Sequence, residues 1–408
     1  MTASETARRM LLPLTPLYRL GLALRESRLR SGREPVRRLR FPVISIGNLS
    51  TGGAGKTPFA IALARTLTEA GFAVDVLSRG FGRQANFPAR VRPDGTAAEF
   101  GDEPLLIARE SGVPVYVASQ RYQAGLLAES DAPLDPRQLV NLPGNLQPQK
   151  EAVIPKDDAI QNDAVIQKNA VIQNEAVIQN DAVILSEGRG ATAVEGPAFR
   201  AIDRRPQRPL LHILDDAFQH RQLYRDIDIL LLNPDDWHDR LLPAGNLREP
   251  RRAAMRASVI AIPATDPALE TELRTWGWQG PIWRLHRRME VPPVNDPVVA
   301  FCGIARPGQF FAGLEAGGLR IAGRFAFRDH HPYAARDLDR LQAAARAAGA
   351  AALVTTAKDE VRLAPLLAAL PPDLPLLTSR LRIEIEEESA ALEWLVTMLN
   401  SIPPRPPL

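Results

Sequence analysis

PVISIGNLSTGGAGKT, residues 42–57, is the stretch of this 408-residue chain that decides its fold. The apolar residues 42–46 predict a buried strand, a glycine-rich turn follows, and Lys56 and Thr57 open a helical stretch over 57–70. In such a turn the glycines let backbone N–H groups point inward around a phosphate, and the helix N-terminus adds the positive end of its dipole. We therefore predict a nucleotide-binding loop here.

The predicted loop consists of Ser50, Thr51, Gly52, Gly53, Ala54, Gly55, Lys56 and Thr57. The strict pattern has glycine where Ser50 stands, so this loop is a variant in which Gly52 and Gly53 compensate. We expect Lys56 to reach the β- and γ-phosphate oxygens and the Thr57 hydroxyl to ligate Mg²⁺.

Apolar, β-prone runs alternate with helical stretches along most of the chain. These runs lie at 42–46, 73–77, 113–117, 210–214, 227–232 and 258–262. Continuous rather than alternating apolar runs suit strands buried on both faces of a parallel sheet. The predicted fold class is therefore α/β, with a doubly wound, mainly parallel sheet of the P-loop NTPase type.

From residue 41 onward we predict three regions. A main domain over 41–280 is followed by a Pro-rich linker at 281–296 and a second, smaller α/β domain over 297–408. In the smaller domain we expect strands near 320–327 and 351–355, and helices near 335–348 and 388–400.

A six-residue repeat interrupts the main domain at 152–185, in units such as AVIQND. Hexapeptide repeats can form a β-solenoid, but a coil takes about three of them, so this tract would form a very short one. We favour an insertion over about 130–208, to which we assign no chemistry.

Charge is unevenly distributed. The chain has 50 Lys and Arg against 47 Asp and Glu, a net charge of +3, yet residues 1–40 hold ten Arg and three Glu, a net +7. A single Cys excludes a disulfide framework and a Cys-based zinc cluster, and it suits a reducing cytoplasm. Because the basic charge is terminal, with little aromatic interleaving, we expect no nucleic-acid partner.

The N-terminal segment, residues 1–40, is predicted to hold a basic amphipathic helix that begins at Pro16. Its apolar run is too broken to supply the roughly 20 residues that span a bilayer. On a helix, one side would carry Leu17, Tyr18, Leu20 and Leu24, and the other Arg19, Arg25, Arg28 and Arg30. Two interpretations stay open: the helix lies on an anionic membrane surface, or it packs on its own domain with a solvated basic face.

A second motif, LLHILDDAFQH at 210–220, ends an apolar strand in Asp215 and Asp216. A carboxylate at this place can hold Mg²⁺ opposite a phosphate-binding loop. Adjacent acids point in opposite directions from a strand end, so we expect one of the two to face the metal.

Five other segments carry candidate polar groups: SRGFGR (78–83), GDEPLL (101–106), LLPAGNLRE (241–249), FRDHHPY (327–333) and TTAKD (355–359). Singly, each has an ordinary explanation, such as a helix cap or a surface ion pair. In this order, and together with the two motifs above, they resemble the tetraacyldisaccharide 4′-kinases of lipid A biosynthesis.

The resemblance implies ATP-dependent phosphorylation of the 4′-hydroxyl of a membrane-embedded, acylated glucosamine disaccharide 1-phosphate. It implies a peripheral protein on the cytoplasmic face of the inner membrane, whose anionic surface the basic N-terminal segment would meet, and no obligate protein partner.

The resemblance also implies roles for single residues. Asp102 would be the acid beside the acceptor hydroxyl, His330 its partner, and Asp215 and Asp216 the Mg²⁺-binding acids. Residues expected to face the sugar-phosphate headgroup are Arg79, Asn246, Arg248 and Glu249. Lys358 matches the Lys of the family's TTEKD motif, although Ala357 replaces the Glu; we assign it no function.

An alternative is a P-loop GTPase or ATPase of the metal-insertion or partner-remodelling type, with water as the acceptor. The [NT]KxD sequence that reads guanine is absent, since Lys358 in TTAKD stands one place late. This alternative leaves the GDEP and DHH motifs unexplained.

Overall fold

The structure is a computed structural model that describes residues 10–52, 55–132 and 210–405. Gly53 and Ala54 of the predicted loop lie outside the described residues. So does the repeat over 152–185, with nearly all of the predicted insertion.

One mixed sheet of twelve strands organises the described residues. In chain order the strands are β1 (Val43–Asn48), β2 (Ala73–Ser78), β3 (Ala89–Arg90), β4 (Val115–Val117), β5 (Leu210–Leu214), β6 (Ile227–Leu231), β7 (Val259–Pro263), β8 (Ile282–Glu290), β9 (Val298–Cys302), β10 (Ile321–Ala326), β11 (Ala352–Thr356) and β12 (Leu376–Ile385). Across the sheet their order is β10-β9-β11-β12-β8-β7-β6-β1-β5-β2-β4-β3. Neighbours are parallel except β3 with β4 and β12 with β8.

Helices flank this sheet. They are α1 (Thr15–Arg30), α2 (Lys56–Glu69), α3 (Ala97–Phe100), α4 (Asp102–Ser111), α5 (Arg121–Asp131), α6 (Pro234–His238), α7 (Pro267–Trp276), α8 (Pro307–Ala316), α9 (Ala335–Ala347), α10 (Ala357–Leu363) and α11 (Glu388–Asn400). Short 3₁₀ helices occupy Leu12–Leu14, Arg251–Arg256 and Ala364–Ala369.

The predicted fold class is confirmed, and the predicted strands appear within about two residues of their expected bounds. The reason is burial on both faces. Every residue of β1, β6 and β9 is buried, so these strands are mostly apolar; Ser45, Asn48 and Asp228 are the buried polar exceptions.

The structure differs from the sequence analysis at the expected linker, 281–296. Residues Ile282–Glu290 form β8, which pairs in parallel with β7 and antiparallel with β12. The prolines that suggested a linker stand outside the strand, where a missing N–H costs no ladder hydrogen bond. Because β8 carries the sheet through this stretch, the linker prediction is wrong for these nine residues; the division into two domains stays a prediction.

Helix α1 is present as predicted, but its two sides differ from the expected ones. Tyr18 and Leu22 pack against a core cluster that includes Trp237, and Arg25 donates a hydrogen bond to the carbonyl oxygen of Gln219 at 2.8 Å. Tyr18, Leu22 and Arg25 share a stripe because residues three or four apart are neighbours on a helix. The expected grouping of Tyr18 with the outer leucines, and of Arg25 with the solvated arginines, is therefore wrong.

The outer side of α1 is apolar and exposed. Leu17, Leu20 and Leu24 have relative exposures of 69%, 55% and 55%. Within the described ranges, no helix is both long and apolar enough to cross a bilayer.

The predicted loop follows β1, and the end of β1 packs closely on the residues that follow β5. A Cβ added to Gly47, near the end of β1, would lie 2.5 Å from Cβ of Phe218 and 2.7 Å from its backbone nitrogen. Only glycine permits this approach, which holds the loop beside Asp215 and Asp216.

We expect Gly47→Ala to lower the free energy of unfolding by about 2 kcal/mol, because the added methyl group overpacks a site with no room. Urea unfolding measures the loss. Gly308→Ala, in helix α8, is the matched control, since no neighbouring atom of the described part of the chain lies within 4 Å of its added Cβ. Equal stability changes in both variants would contradict this account of Gly47.

Candidate active site

A cavity of about 1010 Å³ opens beside the predicted loop. Thr51, Gly52, Gly55, Lys56 and Thr57 line it, and Asp215 and Asp216 face it from the end of β5. The carboxyl ends of β1 and β5 meet here, which is where open parallel sheets bind ligands.

The loop and the start of α2 form one wall. Gly55 has φ +82°, a left-handed conformation that favours glycine, and Lys56 is the first residue of α2. The Lys56 ammonium donates a hydrogen bond to Oδ1 of Asn48 at 3.0 Å and lies 3.4 Å from Oδ1 of Asp216. Ser50 is buried beneath the loop, where its hydroxyl oxygen accepts a hydrogen bond from the Asn48 amide.

The pKa values of the adjacent carboxylates Asp215 and Asp216 are shifted in opposite directions. Burial would raise the pKa of Asp216, but Lys56, Arg248 and Arg121 outweigh it and hold that pKa below its ordinary value. Burial raises the pKa of Asp215 to about 7, and the nearby Glu103 and Asp216 carboxylates add to the effect.

Mg²⁺ fits the residues on this wall. The Oδ1 atom of Asp215 is buried and has no hydrogen-bond partner in the described structure, and Thr57 lines the same cavity. Carboxylate and hydroxyl oxygens are hard ligands of the kind Mg²⁺ prefers, usually one or two from the protein beside phosphate oxygens.

Asp102 and His330 form a pair beside the same cavity. Nδ1 of His330 lies 2.9 Å from Oδ2 of Asp102, the first residue of α4. His330 lines the cavity, whereas Asp102 does not and has only 6% of its side chain exposed. The structure thus places Asp102 behind His330, rather than beside an acceptor in the cavity as expected.

Cations compensate the buried Asp102 carboxylate. Nε of Arg362 lies 3.2 Å from Oδ2 of Asp102, and Nζ of Lys358 lies 4.0 Å from it. Burial would raise the pKa of Asp102, but the hydrogen bond with His330 and the charges of Lys358, His330 and Arg362 lower it overall. The Asp102 hydrogen bond raises the pKa of His330 against the opposing effect of burial.

One end of the cavity is strongly basic. Arg25, Arg79, Arg121 and Arg248 all line it. Arg121 is buried and donates hydrogen bonds to the carbonyl oxygens of Asp215 and Asp216, both at 2.9 Å. Burial and the surrounding arginines lower the pKa of His220 to about 4, so this imidazole stays neutral. Such an end can receive an anionic group.

Two residues expected to contact the substrate headgroup do not line the cavity. Asn246 supports the loop: its carbonyl oxygen accepts a hydrogen bond from the N–H of Thr51, and its amide donates to Oδ2 of Asp239 at 2.8 Å. Glu249 forms an ion pair with Arg256 at 2.8 Å. Both residues make supporting contacts here, and their expected role at the headgroup stays a prediction.

Several cavity residues were not predicted from the sequence to belong to the site. Arg306, from the loop before α8, lines the cavity and lies 3.2 Å from Oδ1 of Asp236. Glu103 lines it as the neighbour of Asp102 and could have been suspected from the GDEP motif. Arg25 and Arg306 could not, because arginine abounds in this chain and their spacing from the loop shows no pattern.

A glycine-rich loop at the end of a parallel strand, with acids at the end of the neighbouring strand, is typical of the P-loop NTPase class. Comparison with known proteins narrows this class. The family described as Tetraacyldisaccharide-1-P 4′-kinase matches residues 7–189 and 197–400.

Relatives resemble the chain over most of its length. The tetraacyldisaccharide 4′-kinase of Koribacter versatilis is 33% identical over 95% of this chain and 98% of its own. The enzyme of that name from Geobacter metallireducens is 31% identical over 88% and 90%. The crystal structure of LpxK from Aquifex aeolicus in complex with ATP superposes with a TM-score of 0.63 at 25% identity, covering 96% of this chain and 99% of that one. The chain belongs to the tetraacyldisaccharide-1-P 4′-kinase family of phosphotransferases.

We expect Asp215→Asn to stabilise the protein in the absence of Mg²⁺. Because the pKa of Asp215 rises to about 7 in the folded state, folding favours its protonated form, and stability falls as pH rises from near 4 through 7. The amide removes this penalty, so the free energy of unfolding at pH 8 should rise by roughly 1–3 kcal/mol. The rise should be smaller at lower pH.

Asp216→Asn is the matched control for this measurement. It removes the partner of Lys56 and Arg248 and should destabilise the protein at pH 8. Thermal unfolding across pH measures the stability of both variants. A loss of stability in both would refute the difference in pKa between the two carboxylates.

Proposed function

We propose that this protein transfers the γ-phosphoryl group of ATP to the 4′-hydroxyl of an acylated glucosamine disaccharide 1-phosphate, a step of lipid A biosynthesis. The reaction would take place at the cytoplasmic face of the inner membrane. The observation that carries the proposal is that His330, paired with Asp102 behind it, lines the same cavity as Lys56 and the phosphate-binding loop.

The loop wall would bind the nucleotide. Lys56 would leave Asn48 and Asp216 for the β- and γ-phosphate oxygens, and the loop N–H groups would surround them. Thr57 and Asp215 are the residues that would hold Mg²⁺, with Asp216 close by. When bound, the metal neutralises negative charge on the phosphate oxygens during transfer. Arg306, across from Gly52, is a further cation on this wall.

His330 would be the base, which revises the roles that the resemblance implied. As the bond between the acceptor oxygen and the γ-phosphorus forms and the bond to the leaving ADP oxygen breaks, Nε2 of His330 would take the hydroxyl proton. Asp102 would accept a hydrogen bond from Nδ1 and so orient the ring and stabilise its cationic form. Phe81 packs edge-on against the ring, 5.5 Å between centroids, and restricts its orientation.

The basic end would bind an anionic group of the acceptor. Arg79 and Arg248, both expected from the sequence, line this end together with Arg25 of helix α1. Tyr18 of the same helix donates a hydrogen bond to the carbonyl oxygen of Arg248 at 2.8 Å. Helix α1 therefore supports the acceptor end of the cavity.

The outer side of α1 would lie in the membrane interface. Its exposed leucines, continued by Met10, Leu12 and Leu14, form an apolar stripe. Arg19, Arg28 and Arg30 are exposed beside this stripe. Each basic residue near an anionic surface adds roughly 1 kcal/mol of attraction. A helix that meets the bilayer on one side and lines the cavity on the other suits an acceptor whose acyl chains stay in the lipid.

An ATPase or GTPase that uses water as the acceptor is the alternative. It requires no paired base on the cavity wall and no exposed apolar helix. Nucleotide hydrolysis that proceeds equally with and without the lipid acceptor would favour it.

We expect the purified protein to transfer ³²P from [γ-³²P]ATP to the detergent-dispersed disaccharide 1-phosphate. His330→Gln should lower kcat by about 10²- to 10⁴-fold, because general-base assistance is lost. Lys56→Ala should lose at least as much, since it removes charge stabilisation at the transferred group. His238→Gln is the matched control: this exposed imidazole pairs with Glu272 at the surface and should keep full activity. Full activity of His330→Gln would disprove the proposed base.

We expect the triple variant Leu17→Gln, Leu20→Gln, Leu24→Gln to lose co-sedimentation with vesicles of phosphatidylglycerol and phosphatidylethanolamine, because it removes the apolar stripe. Charge reversal of Arg19, Arg28 and Arg30 to Glu should also release the protein. Arg25 is left unchanged because it lines the cavity. Leu126→Gln, at an exposed leucine of helix α5, is the control. If both multiple variants still sediment like the unaltered protein, α1 is not the membrane contact.

A further inference from the structure

Lys358 lines the same cavity as His330, although the sequence indicates no role for it. It is the second residue of α10, and 21% of its side chain is exposed. Its Nζ atom lies 2.9 Å from Oε1 of Glu103 and 3.2 Å from Nε2 of His330. Lys358 thus contacts the imidazole at the nitrogen that faces away from Asp102.

Hydrogen-bond chemistry decides what this contact means. A Lys ammonium has three donors and no acceptor, so Nε2 of His330 can pair with it only through an unprotonated lone pair. The remaining ring proton then lies on Nδ1, 2.9 Å from Oδ2 of Asp102, where it is donated to the carboxylate. A proton on Nε2 would face the ammonium donor to donor.

Lys358 itself stays charged. Burial would lower its pKa, but the Glu103 and Asp102 carboxylates outweigh burial and raise it. Glu103 also holds the ammonium in place beside the ring. The donor in this pair is therefore the lysine.

We propose that Lys358 is a positioning residue that keeps protons off Nε2 of His330 and so holds the ring in the tautomer that can accept the acceptor proton. This inference rests on the proposed role of His330 as the base. When the acceptor hydroxyl donates to Nε2, Lys358 remains bound to Glu103. The imidazolium that forms then stands beside an ammonium, which favours release of the transferred proton to solvent.

Groups of both charges surround His330. Asp102 pairs with it from the start of α4, its neighbour Glu103 pairs with Lys358, and Oδ1 of Asp329 lies 3.9 Å from Nε2. Lys358 faces it from α10, which also supplies Arg362 as a second cation on Asp102. The other neighbour, Phe81, is uncharged. Carboxylates on both sides favour the protonated ring, and Lys358 is the cation that contacts it and opposes them.

Nuclear magnetic resonance of the full chain labelled with ¹⁵N-histidine tests the proposal, with His330 assigned by His330→Gln. In the unaltered protein we expect an unprotonated Nε2 and a protonated Nδ1 above the titration midpoint. Lys358→Met should raise the midpoint of His330 by about one pH unit or more. Lys358→Arg, which keeps the charge, should restore most of the original midpoint.

The pH profile of kcat/KM gives a second readout. The acid limb of Lys358→Met should move to higher pH by the same amount, because the base must lose its proton before it can act. An unmoved His330 titration with a raised KM for ATP would overturn the proposal and make Lys358 a phosphate ligand.

Two further outcomes keep the tests separate. If Lys358→Met does not fold, a protonated Nε2 in the unaltered protein above its midpoint would still refute the proposal. If the protein does not phosphorylate the lipid acceptor, the proposed function fails, whereas the His330 titration in the two Lys358 variants still decides what Lys358 does to the ring.

Discussion

A carboxylate that is almost fully removed from water cannot stay ionised unless nearby cations and donors replace its hydration, and Asp102 meets that constraint with residues far away in the chain. His330, Lys358 and Arg362 supply the compensation, and the bonded His330 is 228 residues away in sequence. The C-terminal strands must therefore close against the half of the sheet that holds the phosphate-binding loop. Strand β8, paired on both edges, keeps the two halves in register.

The same physics separates two neighbours of identical chemistry. Asp216 has cations around it and a lowered pKa, whereas Asp215 has a pKa of about 7 and a buried oxygen with no hydrogen-bond partner among the described residues. A buried oxygen without a hydrogen-bond partner destabilises a folded protein unless a bound ligand supplies the missing contact. Asp215 thus lowers the stability of the fold at the place where a metal and a nucleotide phosphate would bind. Such a loss of stability is common at functional sites.

Helix α1 joins the surface of the protein to its cavity. Its inner stripe packs Tyr18 and Leu22 on the body and directs Arg25 into the cavity, while its outer leucines remain exposed. The two interpretations of this segment, membrane surface or domain packing, are therefore compatible, because the two stripes of one helix meet different environments.

The sequence by itself determined the α/β sheet, the loop before α2 and the acids after β5. These features depend on local patterns: apolar runs, glycines at a strand end and the order of motifs. Tertiary structure alone decided which polar groups share the cavity. It moved Asn246 and Glu249 into supporting contacts, brought Arg25 and Arg306 to the walls and placed Asp102 behind His330. Such outcomes depend on burial and on pairs hundreds of residues apart, and no local pattern encodes where a side chain finds its counter-charge.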